Sequence, residues 1–183
     1  MSSIETRRVP CRNGQYVTFR TPVPNDAAAL IEYVSLVLSE SPFFLLEPDE
    51  FAESEPVERE WIQSHLDSPG SLVIVAEWSE RVVGLLNFDG GTRRRTSHEG
   101  SFGISVFAAC RNQGIGSEMI QMLVDWAATN ETIERLELEV FANNTGAIAL
   151  YQRFGFEEEG RRRKAVKLNA REYADSLLMA RFV

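Results

Sequence analysis

Apolar residues along this chain recur with a period of two in some stretches and of three to four in others, and the changeovers mark its elements. Tyr16 to Arg20 alternates as a first strand, Thr21 to Asn25 is a Pro-containing turn, and Asp26 caps a helix that reaches Leu38 and ends before Pro42. A second helix is expected from Pro56 to Leu66. Leu72 to Trp78 and Arg81 to Asp89 form a hairpin joined by Ser79-Glu80, and Gly90-Gly91 with the following arginines make the next turn. His98 to Phe107 has the β-branched and apolar content of a central strand. Ile115, Met119, Ile120, Leu123, Val124 and Ala127 then fall on one stripe of a helix. Glu134 to Phe141 alternates again, with Leu136, Leu138 and Val140 on one face and Glu137, Glu139 and Phe141 on the other. Thr145 to Phe154 is a shorter helix closed by Gly155, and segments around Phe156 and from Ser176 to Phe182 supply the last strands. The fold class is α/β, a mixed sheet with helices on both faces.

Two segments lie outside this pattern. Residues 1–15 are read as a flexible N-terminal extension of a single domain spanning 1–183. Phe43-Phe44-Leu45-Leu46 is expected to be core covering the sheet, with closure over a substrate as the alternative. At 183 residues, 44% hydrophobic and 25% charged, the chain has the composition of one soluble domain. Its apolar stretches are too short to span a bilayer and Met1 to Arg12 lacks the apolar centre of a signal peptide, so no membrane role and a cytoplasmic location are expected. Cys11 and Cys110 are the only cysteines and no Cys/His cluster offers a metal site. Cys110 is read as a packed side chain. The formal charge of −8 disfavours nucleic acid and favours cationic ligands. Two basic runs, Arg93-Arg94-Arg95 and Arg161-Arg162-Arg163-Lys164, are read as solvated loops, the alternative being contacts to an anionic ligand.

The stretch Arg111-Asn112-Gln113-Gly114-Ile115-Gly116 carries the clearest chemistry, because it follows a strand and opens a helix. Unpaired N–H groups and the dipole at such a helix start attract phosphate, and Arg111 adds a fixed cation. A dinucleotide fingerprint would need glycine at Met119, and a nucleotide P-loop would need Gly-Lys-Ser/Thr where Gly114-Ile115-Gly116 stands.

With Arg111, Gly114 and Gly116, and then Asn144-Thr145-Gly146-Ala147, Leu150-Tyr151 and Gly155-Phe156 in order, the chain resembles the GNAT family of N-acetyltransferases. The resemblance covers about Val82 to Val183, and the first eighty residues match only in general pattern. It implies a mostly antiparallel sheet with a splayed strand pair, and direct transfer from acetyl-CoA to a primary amine. Val106, Phe107 and Ala108 would line the pantetheine arm and supply oxyanion N–H donors. Arg111, Asn112, Gln113, Gly114, Ile115, Gly116 and Ser117 would cradle the pyrophosphate, and Asn144 would contact the coenzyme while capping its helix. Tyr151 would protonate the leaving thiolate. Glu99 is the first choice for general base, with Glu139 and Glu47 as other candidates, and His98 is its neighbour on the opposite face. A small-molecule amine such as an amino acid is the expected acceptor. A protein N-terminus is the alternative acceptor, and a non-catalytic coenzyme A sensor the alternative to an enzyme. Neither metal nor redox cofactor is implied, and a homodimer through the final strands is an expectation from the family.

Overall fold

The computed structural model describes residues 2–183, and the predicted hairpin shows how closely the apolar period tracks the backbone. Its strands, β3 (Leu72–Trp78) and β4 (Arg81–Gly90), are joined through Ser79 and Glu80, both left-handed at φ 52° and 64°, the conformation a two-residue turn needs to match strand twist. Before it come β1 (Arg7–Pro10), β2 (Tyr16–Arg20), α1 (Ala27–Glu40) and α2 (Glu55–Asp67). After it come β5 (Glu99–Val106), α3 (Ile115–Thr129), β6 (Arg135–Phe141), α4 (Thr145–Arg153), β7 (Glu157–Lys167) and β8 (Tyr173–Phe182). The eight strands form one sheet in the order β1-β2-β3-β4-β5-β6-β8-β7, and among the described residues only β5 and β6 run parallel.

Strand alternation sorts the core onto two faces. Leu72, Ile74 and Ala76 of β3 and Leu86 and Phe88 of β4 join Met119, Ile120 and Leu123 of α3 in the main cluster. On the other face Val75 meets Leu30 of α1 and Ile62 of α2. Each fully buried aliphatic here contributes about 1.5–3 kcal/mol relative to exposure. The helices α1 and α2 cover β3 and β4, and α1 reaches the end of β5, where Tyr33 Oη lies 2.9 Å from Ser105 Oγ, which leaves Ser101 and Gly103 of β5 exposed on that side.

Three expectations are revised. Arg7–Pro10, read as part of a flexible extension, forms β1 and pairs antiparallel with β2 from Arg7↔Phe19 to Pro10↔Tyr16. Phe43–Leu46 is not core: Leu45 is 71% exposed and Leu46 40%, because the chain leaves α1 without another element to cover it. Phe43 alone finds an aromatic partner, with its ring edge-on to Phe141 at 6.1 Å. Arg161 to Lys164 lies in β7 rather than a loop, and Arg161 and Arg162 are ion-paired to Asp175 and Glu139. That strand is the sheet edge, densely charged and with register shifts between Glu158 and Gly160 and between Arg162 and Val166.

Candidate active site

The ladder between β5 and β6 holds only from Glu99↔Arg135 to Ser101↔Glu137, and beyond it the strands part. Phe107 N–H donates to the Val83 carbonyl at 2.9 Å, so by antiparallel alternation Ser105 and Gly103 also bond to β4, while Val106 and Ile104 aim their backbone groups into the gap. On the far side Ala142 N–H donates to Asp175, which by the same rule turns the backbone of Phe141 and Glu139 into that gap. An extended ligand can therefore enter as a surrogate strand. Ile104 belongs to this lining and was missed from the sequence, where the ladder's alternation is invisible.

The geometry changes the expected donors. Phe107 N–H is used by the sheet, and Ala108 N–H donates to the Glu40 carboxylate at the end of α1 at 2.9 Å, so neither is an unengaged oxyanion donor. The Val106 carbonyl accepts from Arg111 Nε at 2.9 Å, fixing that guanidinium at the mouth of the gap.

Asn112 at φ 62° and Gly114 at φ 93° turn the chain into α3. A Cβ on Gly114 would meet nothing within 4 Å, so glycine is needed there for its backbone angle and the space beside it is open. Gly116 differs: a Cβ would lie 3.5 Å from Leu150 Cδ2, ordinary contact. The first-turn N–H groups of Ile115, Gly116 and Ser117 lack intrahelical acceptors and, with the helix dipole, fit a diphosphate. Gln113 faces elsewhere, accepting Arg12 N–H at its carbonyl and Asn13 N–H at Oε1.

Asn144 caps α4 as expected, its Oδ1 accepting from Ala147 N–H at 3.3 Å. Tyr151, on the same helix, packs edge-on against Phe102, the residue just past the last β5–β6 pair, at 5.9 Å, and is 8% exposed. Burial pushes its phenol up to about 12. Burial also pushes the Cys110 thiol up, in keeping with a packed side chain.

On the face left open by α1 and α2 lies a cleft of about 470 Å³ reaching from Gly103 and Glu139 at the gap to Asp89 and Glu159. Glu139 stands in its open section, holding Arg162 at 2.9 Å and accepting from Ser176. Glu99 is placed at the closed end, 3.6 Å from Arg135 and seven residues, about 23 Å, along β5 from Val106. His98 precedes β5 there, its carbonyl bonded by Glu134 and Arg135, and Glu47 lies on the exposed α1–α2 connection.

Splayed strands beside a helix entered through a left-handed glycine leave room for an extended ligand with an anionic tail. The family model described as Acetyltransferase (GNAT) family matches residues 37–156, and the chain belongs to this family of N-acetyltransferases. Over 130 residues it is 38% identical to the L-amino acid N-acetyltransferase AaaT of Escherichia coli (strain K12), covering 69% of this chain and 77% of that protein. An acetyltransferase of the GNAT family from Streptococcus pneumoniae shares the fold at TM-score 0.89 and 25% identity, over 91% of this chain and 99% of that one. The Salmonella typhimurium protein yncA, solved with its cofactor acetyl-CoA, does so at TM-score 0.79 and 17% identity, over 91% and 93%.

Proposed function

We propose that this chain moves the acetyl group of acetyl-CoA directly to a primary amine of a small molecule, acting as one cytoplasmic catalytic domain. The observation that carries this reading is a buried phenol, Tyr151, beside the point where two parallel strands separate, with a helix N-terminus at the other end of the gap. The acetyl-CoA seen with the Salmonella protein and the amino-acid acceptor in the name of the Escherichia coli relative support the donor and a small amine.

The residues divide the chemistry. The first turn of α3 and Arg111 hold the diphosphate, and the backbone of Ile104 and Val106 holds the pantetheine arm. An amine reacts only as a neutral base, and its usual pKa near 10 demands proton removal. Glu139, in the open section of the cleft, accepts that proton through water, in preference to Glu99, which stands at the closed end, seven residues along β5 from Val106. The nitrogen lone pair forms the C–N bond, the tetrahedral intermediate collapses with cleavage of C–S as Tyr151 O–H gives its proton to the departing thiolate, and the second proton shed by the nitrogen passes through water to restore the phenol. A phenol at about 12 is fully protonated at neutral pH, as a donor must be. The thiolate leaves into the same dry gap, where its own basicity also rises, which narrows the pKa difference.

Release of coenzyme A from acetyl-CoA across amino acids, linear amines and short peptides tests the reading. Release that depends on a small amine supports it. Release only with peptides favours the N-terminal acetyltransferase, and saturable acetyl-CoA binding without release favours the sensor.

A further inference from the structure

The charge of the cleft narrows the acceptor, an inference that rests on the acetyltransferase reading above. Cross-strand register sets Asp89 of β4 beside Ser101 of β5, and Ser101 beside Glu137 of β6, so the three side chains form a row on the open face. Neighbouring strands lie about 4.8 Å apart, and the small exposed Ser101 leaves a seat between two carboxylates. Both carboxylates are held in place. Asp89 Oδ1 is bonded by Nε2 of the buried His65 at 2.8 Å and Oδ2 by Asn87 at 2.8 Å, while Glu137 is held by Arg135 at 2.7 Å. Each keeps lone pairs for a further donor.

The local charges do not cancel. Asp89, Glu99, Glu137, Glu139 and Glu159 stand with His65, Arg135 and Arg162, five carboxylates against three cations, so two negative charges remain unmatched. His65 counts among the cations because its Nδ1 faces the Trp61 carbonyl and its Nε2 a carboxylate, and only a doubly protonated ring donates to both. Among the described residues no group of three or more such side chains is arranged to hold a metal ion. Both arginines are already engaged, so a substrate carboxylate would have to displace a resident one.

We propose that the acceptor is a diamine, whose second ammonium seats over Ser101 between Asp89 and Glu137 while its reacting nitrogen lies beside Glu139. Glu139 is two residues along β6 from Glu137, about 6.6 Å, a span suited to a short aliphatic linker. His65 is the positioning residue that aims Asp89.

Three acceptors of matched length decide the matter: butylamine, 1,4-diaminobutane and 4-aminobutanoate. With wild type, kcat/KM for the diamine should exceed that for the monoamine by about tenfold or more, and the zwitterion should fall below both. Asp89→Asn should narrow the diamine-to-monoamine ratio, and Ser101→Lys, which plants a resident ammonium in the seat, should abolish it. A diamine no better than butylamine, or a preference for 4-aminobutanoate, overturns the proposal and leaves the acetyltransferase reading standing. If none of the three releases coenzyme A, that reading fails for linear amines, and calorimetric titration of 1,4-diaminobutane reads the seat alone: heat in wild type but not in Ser101→Lys supports it, and no heat in either overturns it.

Discussion

At position 151 the ring and the hydroxyl have separate duties. The ring packs against Phe102 and Phe156, and Tyr151→Phe keeps those contacts. The variant should hold acetyl-CoA as tightly as wild type, melt within about 2 °C of it, and lose about a hundredfold or more in kcat. Unchanged turnover would remove Tyr151 from the chemistry. The two glycines of the turn also part ways. Gly114→Ala forces a side chain into φ 93°, at a cost of about 1–2 kcal/mol or about 2–8 °C in Tm, whereas Gly116→Ala meets only ordinary contact and should melt at or above the wild-type temperature. Parallel thermal scans that showed equal losses would contradict this. His65 sets a pH window. Burial pulls its pKa down, but the hydrogen bonds to Asp89 and Trp61 outweigh that and leave it above 6.5, while Asp89, bonded by His65, is lowered below 3.8. The pair's contribution is therefore full between about pH 4 and 6.5, fades as pH falls through the lowered value of Asp89, and fades as pH rises through the raised value of His65. The stability gap between wild type and His65→Gln, followed by urea unfolding from about pH 5 to about pH 9, should shrink as pH rises. A flat gap would mean that the ring is not charged.

Among elements, the β4–β5–β6 junction is the least forgiving. A Cβ at Gly100 would lie 2.4 Å from Phe88 Cζ and 2.5 Å from the Asp89 carbonyl oxygen, so Gly100→Ala must push β5 off β4 just where the sheet begins to part. A cost of about 1–3 kcal/mol or more is expected, seen as a lower urea midpoint with an unchanged slope. An unmoved midpoint would show that the junction yields. The same junction explains what could be read from the sequence. The β3–β4 hairpin, α3 and the Asn144 cap announce themselves through local period, turn residues and capping chemistry. β1 does not, and β7 does so only at its start beside Phe156, because Arg7-Arg8-Val9-Pro10 and the run from Glu157 to Lys164 carry almost no apolar alternation and owe their strand form to the partner beside them. The glycine turn of the site was legible for the same local reason as the cap. The end of the β5–β6 ladder was not: it depends on parallel register, and that register puts Glu99 opposite Arg135 and builds the Asp89–Ser101–Glu137 row from three separate strands.

Over the whole molecule, the excess of acid in a chain of net charge −8 is not spread evenly around the site. The acceptor cleft lies among carboxylates, while the opposite mouth of the gap has Arg111 and a helix N-terminus, so donor and acceptor meet fields of opposite sign across one sheet. The turn that forms the donor side is also tied to the far end of the chain. Gln113 accepts N–H groups from Arg12 and Asn13, residues about a hundred positions earlier, so the N-terminal hairpin hangs from the same loop that would hold the diphosphate. Anything that stills the loop must still the hairpin, and amide hydrogen exchange reports this directly. Saturation with coenzyme A should slow exchange at Arg12, Asn13 and at Arg7, Arg8 and Val9 of β1 while β8 keeps its rate, and Gln113→Ala should weaken that distant echo. The first residues of the chain then act as a remote gauge of whether the donor site is filled.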